Sequence, residues 1–312
     1  MTIAFLFPGQ GSQSVGMMDV FSEVRVVKDT FEEASVILQQ DMWQLAHAGS
    51  EDQLALTTNT QPLMLISDVA MYRAWIKLGG KLPSILAGHS LGEYAALVAS
   101  GALNFTDAVP LVRQRSELMQ NAVPSGVGAM AAVLGLSDEN ITLACQNATA
   151  EGGVAEPANY NAPGQVVIAG NKETVEKAVE EAKKLGAKRA MLLAMSTPSH
   201  CSLIKPAADL FASVLDTVSI GSTEIPVVHN ENVQESSTAQ NIKERLYQQL
   251  FKPVRWVETI RHIVKKDIRI GCECGPGKVI TGLNKRIDKE FQMISLASPE
   301  AMELAMNEFS GG

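Results

Sequence analysis

LPSILAGHSLGEYAALVASGAL, residues 82 to 103, is the stretch around which the fold can be organised. Residues 85–87 form a short apolar strand, a sharp turn follows, and a helix is predicted to begin near Leu91. The alanines of that helix allow close packing, and Gly101 occupies the position at which helices commonly end. A strand, a tight turn and a helix in this order predict one β-α unit of an α/β protein.

The turn itself contains a G-x-S-x-G pattern, residues 88–92. Small flanking residues let the chain bend tightly, so that Ser90 is pushed outward on a strained backbone. The helix N-terminus just after Ser90 presents unpaired N–H groups and a partial positive charge, which suit an oxyanion. Two interpretations remain open at this point: a nucleophilic serine, or a tight β-α turn that happens to contain a serine.

The rest of the chain continues the alternation of strands and helices. A first apolar strand, residues 3–7, leads into the glycine-rich loop 8–13, which matches neither a Walker A loop nor a dinucleotide fingerprint. Further along, the order of strands and helices favours a largely parallel sheet covered on both faces. The fold class is therefore α/β, with a mostly parallel sheet in a large domain.

A change in composition near residue 125 indicates an inserted unit. Its β-α-β-α-β order, with room for an extra strand near Val154, fits a small ferredoxin-like subdomain. We expect residues 1–124 and 198–312 to form the large domain and residues 125–197 the small one. A loop at residues 195–200 leads out of the insertion, and the end of the chain at residues 310–312 is expected to be frayed.

Composition excludes several classes of function. The chain has 312 residues, of which 46% are hydrophobic and 19% charged, so a sizeable core is available. A net charge of −8 argues against nucleic acid as the main partner. The four cysteines show neither a disulfide framework nor zinc spacing, so core thiols and no metal are expected. Without a signal peptide or a long apolar run, we expect a cytoplasmic protein with no membrane contact.

Arg115 is conspicuous on the helix that follows the Gly101 stop. Thr106 or Asp107 can cap this helix, and its apolar stripe includes the position of Arg115 but not that of Arg113. An inward-pointing guanidinium is costly unless an anion meets it. The residues alone allow three interpretations: an anion-binding group, an internal ion pair with a core carboxylate, or a side chain that reaches back to solvent.

A serine nucleophile needs a base, and the chain offers five histidines. His200 lies in a loop rich in Pro and Ser, where positioned catalytic groups often reside, and is the first choice. His229, at the end of a predicted strand, is the second. His89 lies in the sharp turn beside Ser90, so its side chain points away and has a supporting or packing role.

Seven motifs along the chain resemble those of the malonyl-CoA:acyl carrier protein transacylases and, more widely, the acyltransferase domains of fatty acid and polyketide synthases. The motifs occur in register over essentially the whole chain: FPGQGSQ, GHSLGEYAAL, QRSELMQ, NYNAPGQVVIAG, TPSH, YQQLFKPVRW and ECGPGKVITGL. The resemblance implies a hydrolase-like α/β domain with a ferredoxin-like insertion. It also implies transfer of a malonyl group from malonyl-CoA to acyl carrier protein, with no cofactor.

The resemblance assigns the reacting groups. Ser90 would carry the acyl group and His200 would be its general base. The backbone N–H groups of Gln10 and Leu91 would form the oxyanion hole. Each of these residues stands in one of the matching motifs.

The resemblance also assigns the groups around them. Arg115 would bind the free malonyl carboxylate, and Gln249 would orient the histidine through its main-chain carbonyl. Asn159 and Asn161 lie in a matching segment and receive only a supporting role. We expect a monomer whose partners are malonyl-CoA and acyl carrier protein.

Three alternatives stay open. A serine hydrolase would share the turn and the sheet, although acids between Ser90 and His200 that lie outside the insertion are few. A non-catalytic subunit that binds the carrier protein would not need an intact Ser90. A relative that takes methylmalonyl or another dicarboxylic acyl group is the hardest to exclude.

Carrier proteins are typically acidic, so the basic pairs at residues 188–189 and 285–286 are candidate contacts, although a solvated surface explains them equally well.

Overall fold

The structure is a computed structural model that describes residues 2–150, 152–194 and 197–310. Of the predicted loop 195–200, residues 195 and 196 lie outside the described residues, as do residues 311 and 312 of the predicted frayed end. The described elements are, in order, β1 (Ile3–Phe7), α1 (Arg25–Leu38), α2 (Met42–Ala48), α3 (Glu51–Ala55), α4 (Thr57–Lys77), β2 (Ile85–Gly88), α5 (Gly92–Ala99), α6 (Phe105–Asn121), β3 (Gly128–Leu134), α7 (Asp138–Thr149), β4 (Ala155–Ala162), β5 (Gln165–Asn171), α8 (Lys172–Lys184), β6 (Arg189–Leu192), α9 (Lys205–Thr217), β7 (Val227–Val228), α10 (Ala239–Gln249), α11 (Trp256–Lys265), β8 (Ile270–Glu273), α12 (Val279–Ile287), β9 (Gln292–Ser295) and α13 (Pro299–Ser310).

The larger sheet is parallel and has the strand order β7-β2-β1-β8-β9. Its central strand β1 is buried on both faces because alternate side chains enter different cores. Phe5 and Phe7 pack into the cluster under α1, α4, α5, α6 and α9, whereas Ala4 and Leu6 pack against α11 and α12. Helices therefore cover both faces, as the sequence predicts.

The smaller sheet is antiparallel and has the strand order β4-β5-β3-β6. With α7 and α8 on one face, this is the strand order of a ferredoxin-like unit, and the strand expected near Val154 is β4. The predicted fold class is confirmed. The domain boundaries at residues 124–125 and 197–198 remain a prediction.

The two sheets are joined next to the GHSLG turn. Backbone hydrogen bonds link β4 to the segment before α11: Tyr160 N–H donates to the Val254 carbonyl at 2.9 Å, and Val254 N–H donates to the Ala158 carbonyl at 2.8 Å. The face of the small sheet that α7 and α8 leave uncovered thus lies over the end of β2, and a cleft forms between the two sheets.

Several local predictions were wrong. Proline is typical of the first turn of a helix, so Pro62 predicts a helix that begins close to it. Helix α4 instead begins at Thr57, and Pro62 lies in its second turn. This helix is buried on nearly all sides, so an amphipathic stripe does not reveal where it begins. Helix α6 is preceded by Asn104 and not by Thr106 or Asp107. The sequence patterns also fail to indicate α2, α3 and α13. In the part of the chain that is described, no helix combines the length and apolarity needed to cross a bilayer.

Candidate active site

Ser90 lies on the turn between β2 and α5 with a φ of 52°, a left-handed conformation that is strained for a serine. The two glycines of the pattern are required by close contacts. A Cβ on Gly88 would lie 1.9 Å from the carbonyl carbon of Gly92, and a Cβ on Gly92 would lie 2.2 Å from the carbonyl oxygen of Phe7. The G-x-S-x-G pattern therefore holds β1, β2 and α5 in contact and forces the serine outward.

Ser90 and His200 form a hydrogen-bonded pair. Ser90 Oγ lies 2.7 Å from His200 Nε2, and His200 Nδ1 lies 2.7 Å from the backbone carbonyl of Gln249. A carbonyl only accepts, so Nδ1 carries the proton and Nε2 is free to accept from the serine hydroxyl. Burial, and then the charge of Arg115, lowers the pKa of His200 from 6.5 to about 3. The imidazole is therefore neutral and able to act as a base.

Arg115 projects from α6 into the same place and is 1% exposed. Its guanidinium donates to Gln61 Oε1 at 2.5 Å, to Gln249 Oε1 at 3.1 Å and to Ser90 Oγ at 3.4 Å. All three acceptors are neutral, and Arg115 takes part in none of the ion pairs among the described residues. Burial lowers the pKa of Arg115. The structure thus rules out a side chain that reaches solvent and leaves a buried cation beside the serine without a direct counter-ion.

Gln10 and Leu91 both line the cavity in front of Ser90. Leu91 immediately precedes the first turn of α5, where N–H groups are unpaired and the helix dipole is positive. Neither backbone N–H donates to another described residue. The Gln10 side chain is held by Thr57 Oγ1 at 3.3 Å. The two amides are therefore available to an oxyanion.

His89 serves as a link between the two sheets. Its Nε2 lies 2.8 Å from Asn161 Oδ1, and its ring packs on Trp256 at 5.4 Å between centroids. Burial lowers the pKa of His89, so it is a neutral packing group. Asn159 is buried and lines the cavity, and its strand pairs with Val254.

The cavity has a volume of about 150 Å³ and lies between the two sheets. Every site residue predicted from the sequence lines it, except Gln249, which supports the site from behind. The sequence patterns did not indicate the other lining residues, which are Gln61, Met119, Met130, Val167, Leu193 and Ser199. Met130, Val167 and Leu193 are apolar and lie in or next to strands of the small sheet, so this wall of the cavity combines apolar side chains with the amides of Asn159 and Asn161.

Comparison with known proteins is consistent with this geometry. A model of the acyl transferase domain matches residues 4–295. The chain belongs to the acyl transferase domain family. It is 48% identical over 304 residues to the malonyl CoA-acyl carrier protein transacylase of Escherichia coli K12, covering 97% of this chain and 98% of that protein. The transacylase of the same name from Bacillus subtilis is 44% identical, with 97% and 96% covered.

Solved structures of similar proteins have the same fold. The acyl-carrier-protein S-malonyltransferase of Burkholderia pseudomallei superposes with a TM-score of 0.97 at 52% identity, covering 98% of this chain and all of that one. A malonyl-transacylase solved in complex with a type II polyketide synthase acyl carrier protein gives 0.97 at 45% identity, with 99% and 100% covered. The serine and histidine of this acyl transferase therefore lie in a fold shared with malonyl-transferring enzymes.

Behind the site, this acyl transferase has a network that the sequence patterns did not reveal. Glu93, fully buried in α5, accepts from His229, from the backbone of Asn230 and from Gln249. His229, the second choice for the base, is therefore bound to this carboxylate rather than to Ser90. One signal was visible in the sequence: Glu93 is a charged residue in an otherwise apolar, alanine-rich helix, the same kind of signal that made Arg115 conspicuous.

Proposed function

We propose that this acyl transferase moves a malonyl group from malonyl-CoA to the phosphopantetheine thiol of acyl carrier protein, in fatty acid biosynthesis. The relatives named above carry this activity in their names, and one similar structure includes a carrier protein. The observation that carries the proposal is the buried guanidinium of Arg115, 3.4 Å from the serine oxygen and surrounded by neutral acceptors. A free carboxylate on the acyl group supplies the anion that this cation lacks.

Acylation follows from the geometry. Ser90 Oγ attacks the thioester carbonyl while its proton moves to Nε2 of His200, 2.7 Å away. The negative charge that develops on the carbonyl oxygen is held by the backbone N–H groups of Gln10 and Leu91. Losing one such donor typically costs about 10²–10³ in rate. The tetrahedral intermediate collapses, CoA leaves as the thiol after protonation by the imidazolium, and a malonyl-serine ester remains.

The second half-reaction repeats these steps with the carrier thiol. The imidazole of His200 takes the thiol proton, the thiolate attacks the ester, and the serine regains its proton as it leaves. The carbonyl of Gln249 orients the histidine but carries no charge, in contrast to the carboxylate of a hydrolase triad. None of these steps requires a metal or a redox cofactor, and we propose that the enzyme uses none.

Other features of the proposal concern the setting of the enzyme. We propose a cytoplasmic monomer that binds neither nucleic acid nor membranes, in keeping with the net charge of −8. For the acidic carrier protein, Lys285 is our candidate contact. The neighbouring Arg286 has a structural role, because its guanidinium donates hydrogen bonds to Gln165 Oε1 and to the Pro163 carbonyl, where β4 turns into β5.

Product analysis tests the proposal against the hydrolase. Wild-type protein is incubated with malonyl-CoA with and without holo acyl carrier protein, and malonate and malonyl-carrier are quantified. We expect malonyl-carrier to dominate when the carrier is present and malonate release to be slow when it is absent. Rapid malonate release that the carrier does not suppress would favour the hydrolase. No turnover and no serine adduct would leave the non-catalytic binding subunit.

A further inference from the structure

The Glu93 carboxylate has no step in the proposed reaction, yet it lies at the centre of the polar groups behind the nucleophile. Its oxygens accept from His229 Nδ1 at 2.7 Å, from Asn230 N–H at 3.0 Å and from Gln249 Nε2 at 2.8 Å. A carboxylate accepts hydrogen bonds and does not donate them. Three donors that converge on one fully buried carboxylate are therefore each fixed in orientation.

Gln249 connects this carboxylate to Arg115. Its Nε2 also donates to the backbone carbonyl of Ser90 at 3.0 Å, so both groups on that side of the amide are acceptors. The amide oxygen must then face the other way, where it accepts from Arg115 Nη2 at 3.1 Å. A reversed amide would place N–H groups against the guanidinium and an oxygen against the carboxylate. Glu93 therefore sets the orientation of a group that holds Arg115.

Asn230 connects the same carboxylate to the nucleophile turn. Its backbone N–H donates to Glu93, while its side-chain oxygen accepts the N–H of Ser90 at 2.6 Å. Its side-chain nitrogen donates to the carbonyl of Gly88 at 2.7 Å. The side chain of Asn230 thus binds the strained turn at Gly88 and at Ser90, and Glu93 in turn binds the backbone of Asn230.

We propose that Glu93 is a positioning residue for selection of dicarboxylic acyl groups, acting through the Gln249 amide to hold Arg115 in place for the substrate carboxylate. This inference rests on the proposed function, because it assigns the orientation of a group that is proposed to recognise malonyl. The Asn230 branch supports the turn for any acyl group. The Gln249 branch also supports that turn through the Ser90 carbonyl, but its hold on Arg115 matters only for acyl groups that carry a free carboxylate.

The Glu93→Gln variant isolates the effect, because it keeps the side-chain volume and removes the charge. The new amide oxygen still accepts from Gln249 and Asn230, but without the charge that strengthens these hydrogen bonds, so both groups are held more weakly. The new amide nitrogen can face His229 if that ring moves its proton to Nε2. We expect kcat/KM for acylation by malonyl-CoA to fall about tenfold or more, and that for acetyl-CoA to fall by less than about threefold.

The direction in which malonyl selectivity changes in Glu93→Gln distinguishes a positioning role of Glu93 from a long-range electrostatic effect. Glu93 is an anion near the cation that binds the malonyl carboxylate, so a long-range charge effect alone would make its removal strengthen malonyl binding. A positioning role predicts the opposite, since a loosened Gln249 no longer holds Arg115. A higher malonyl selectivity in Glu93→Gln therefore overturns the inference.

A double-mutant cycle tests the path. Gln249→Leu removes the side-chain amide but keeps the main-chain carbonyl that binds His200. If Glu93 acts through this amide, the double variant loses no more malonyl selectivity than the worse single variant. Additive losses would show that the two residues act separately and would overturn the inference.

The control is Glu273→Gln, which neutralises a second fully buried carboxyl whose oxygens accept from the backbone N–H groups of Ile280 and Thr281, away from this network. All variants are compared by quenched-flow acylation with intact-mass detection, and by thermal unfolding to show that they are folded. Equal losses for both donors in Glu93→Gln, or unchanged selectivity, overturn the inference while leaving the function in place. If the wild type itself does not prefer malonyl-CoA to acetyl-CoA, the proposed function fails first.

Discussion

Replacing Arg115 with Met removes the buried charge while keeping much of the side-chain length. In the structure the guanidinium meets only neutral oxygens, and its contact with Ser90 Oγ is long at 3.4 Å. A malonyl carboxylate would take the place of the long Ser90 contact and form hydrogen bonds between opposite charges, each worth about 1.5–3 kcal/mol. A gain of about 3 kcal/mol corresponds to about 100-fold in kcat/KM, because each tenfold change costs about 1.4 kcal/mol.

We therefore expect Arg115→Met to lower kcat/KM for malonyl-CoA about 100-fold and to change that for acetyl-CoA by less than about threefold. Acetyl gains nothing from the cation, since it leaves the buried charge without an anion. Arg115→Lys should be intermediate, because an ammonium keeps the charge but not the planar pair of donors. The assay is pre-steady-state acylation with each donor, followed by intact mass.

Arg113→Met is the matched control, because it lies two positions away on α6, where it bonds Gln40 Oε1 at 2.7 Å outside the cavity. It should leave the ratio of the two donors unchanged. If Arg115→Met slows both donors by the same factor, the carboxylate contact is refuted and the arginine only supports the fold. If it slows neither, Arg115 has no part in donor recognition.

Four further predictions concern the base, the turn and the carrier protein. Because the pKa of His200 is lowered to about 3, kcat/KM for acylation should show no inflection near pH 6.5 and should fall only in stronger acid; an inflection at 6.5 in the pH profile would contradict this. In the folded chain His200 stays neutral down to about pH 3, whereas in the unfolded chain it binds a proton near pH 6.5. The free energy of unfolding, measured in urea, should therefore decrease as the pH falls from 6.5 to 3. Gly88→Ala should prevent correct folding or lower Tm severely, because the new Cβ would overlap the backbone of Gly92. Gly79→Ala should cost only about 1–2 kcal/mol, because a Cβ there meets no atom within 4 Å and only the φ of 83° is unfavourable. Equal Tm values for the two variants would refute the steric explanation. Lys285→Glu should raise KM for acyl carrier protein and leave acylation by malonyl-CoA unchanged, and an unaltered carrier KM would remove this residue from the docking surface.

Local sequence patterns predicted those strands and helices whose apolar periodicity is followed by residues typical of a turn. The apolar run at residues 3–7 coincides with strand β1, because five consecutive apolar residues before a glycine-rich loop are typical of a strand buried on both faces. The place of Arg115 on an apolar stripe made it conspicuous without deciding where its side chain lies, and the structure shows that side chain buried. The start of α4 was missed because that helix is buried nearly all round and shows no stripe.

The network behind Ser90 could not be predicted in the same way. Glu93 is conspicuous as a lone charge in an apolar helix, but its partners His229 and Asn230 lie 136 and 137 positions away. A pattern that spans a few residues cannot report which distant side chains meet in space. The roles of Ser90 and His200 were assigned from the resemblance to a family, and the structure places the two side chains within hydrogen-bonding distance.

If acyl transfer passes through a malonyl ester on Ser90, intact mass spectrometry after mixing with malonyl-CoA, in the absence of acceptor, should detect that ester. We expect a single malonyl-sized increase that maps to Ser90, is absent in Ser90→Ala, and disappears when holo acyl carrier protein is added. An adduct on another residue, or malonyl-carrier formed by an enzyme that never carries the group, would contradict the account.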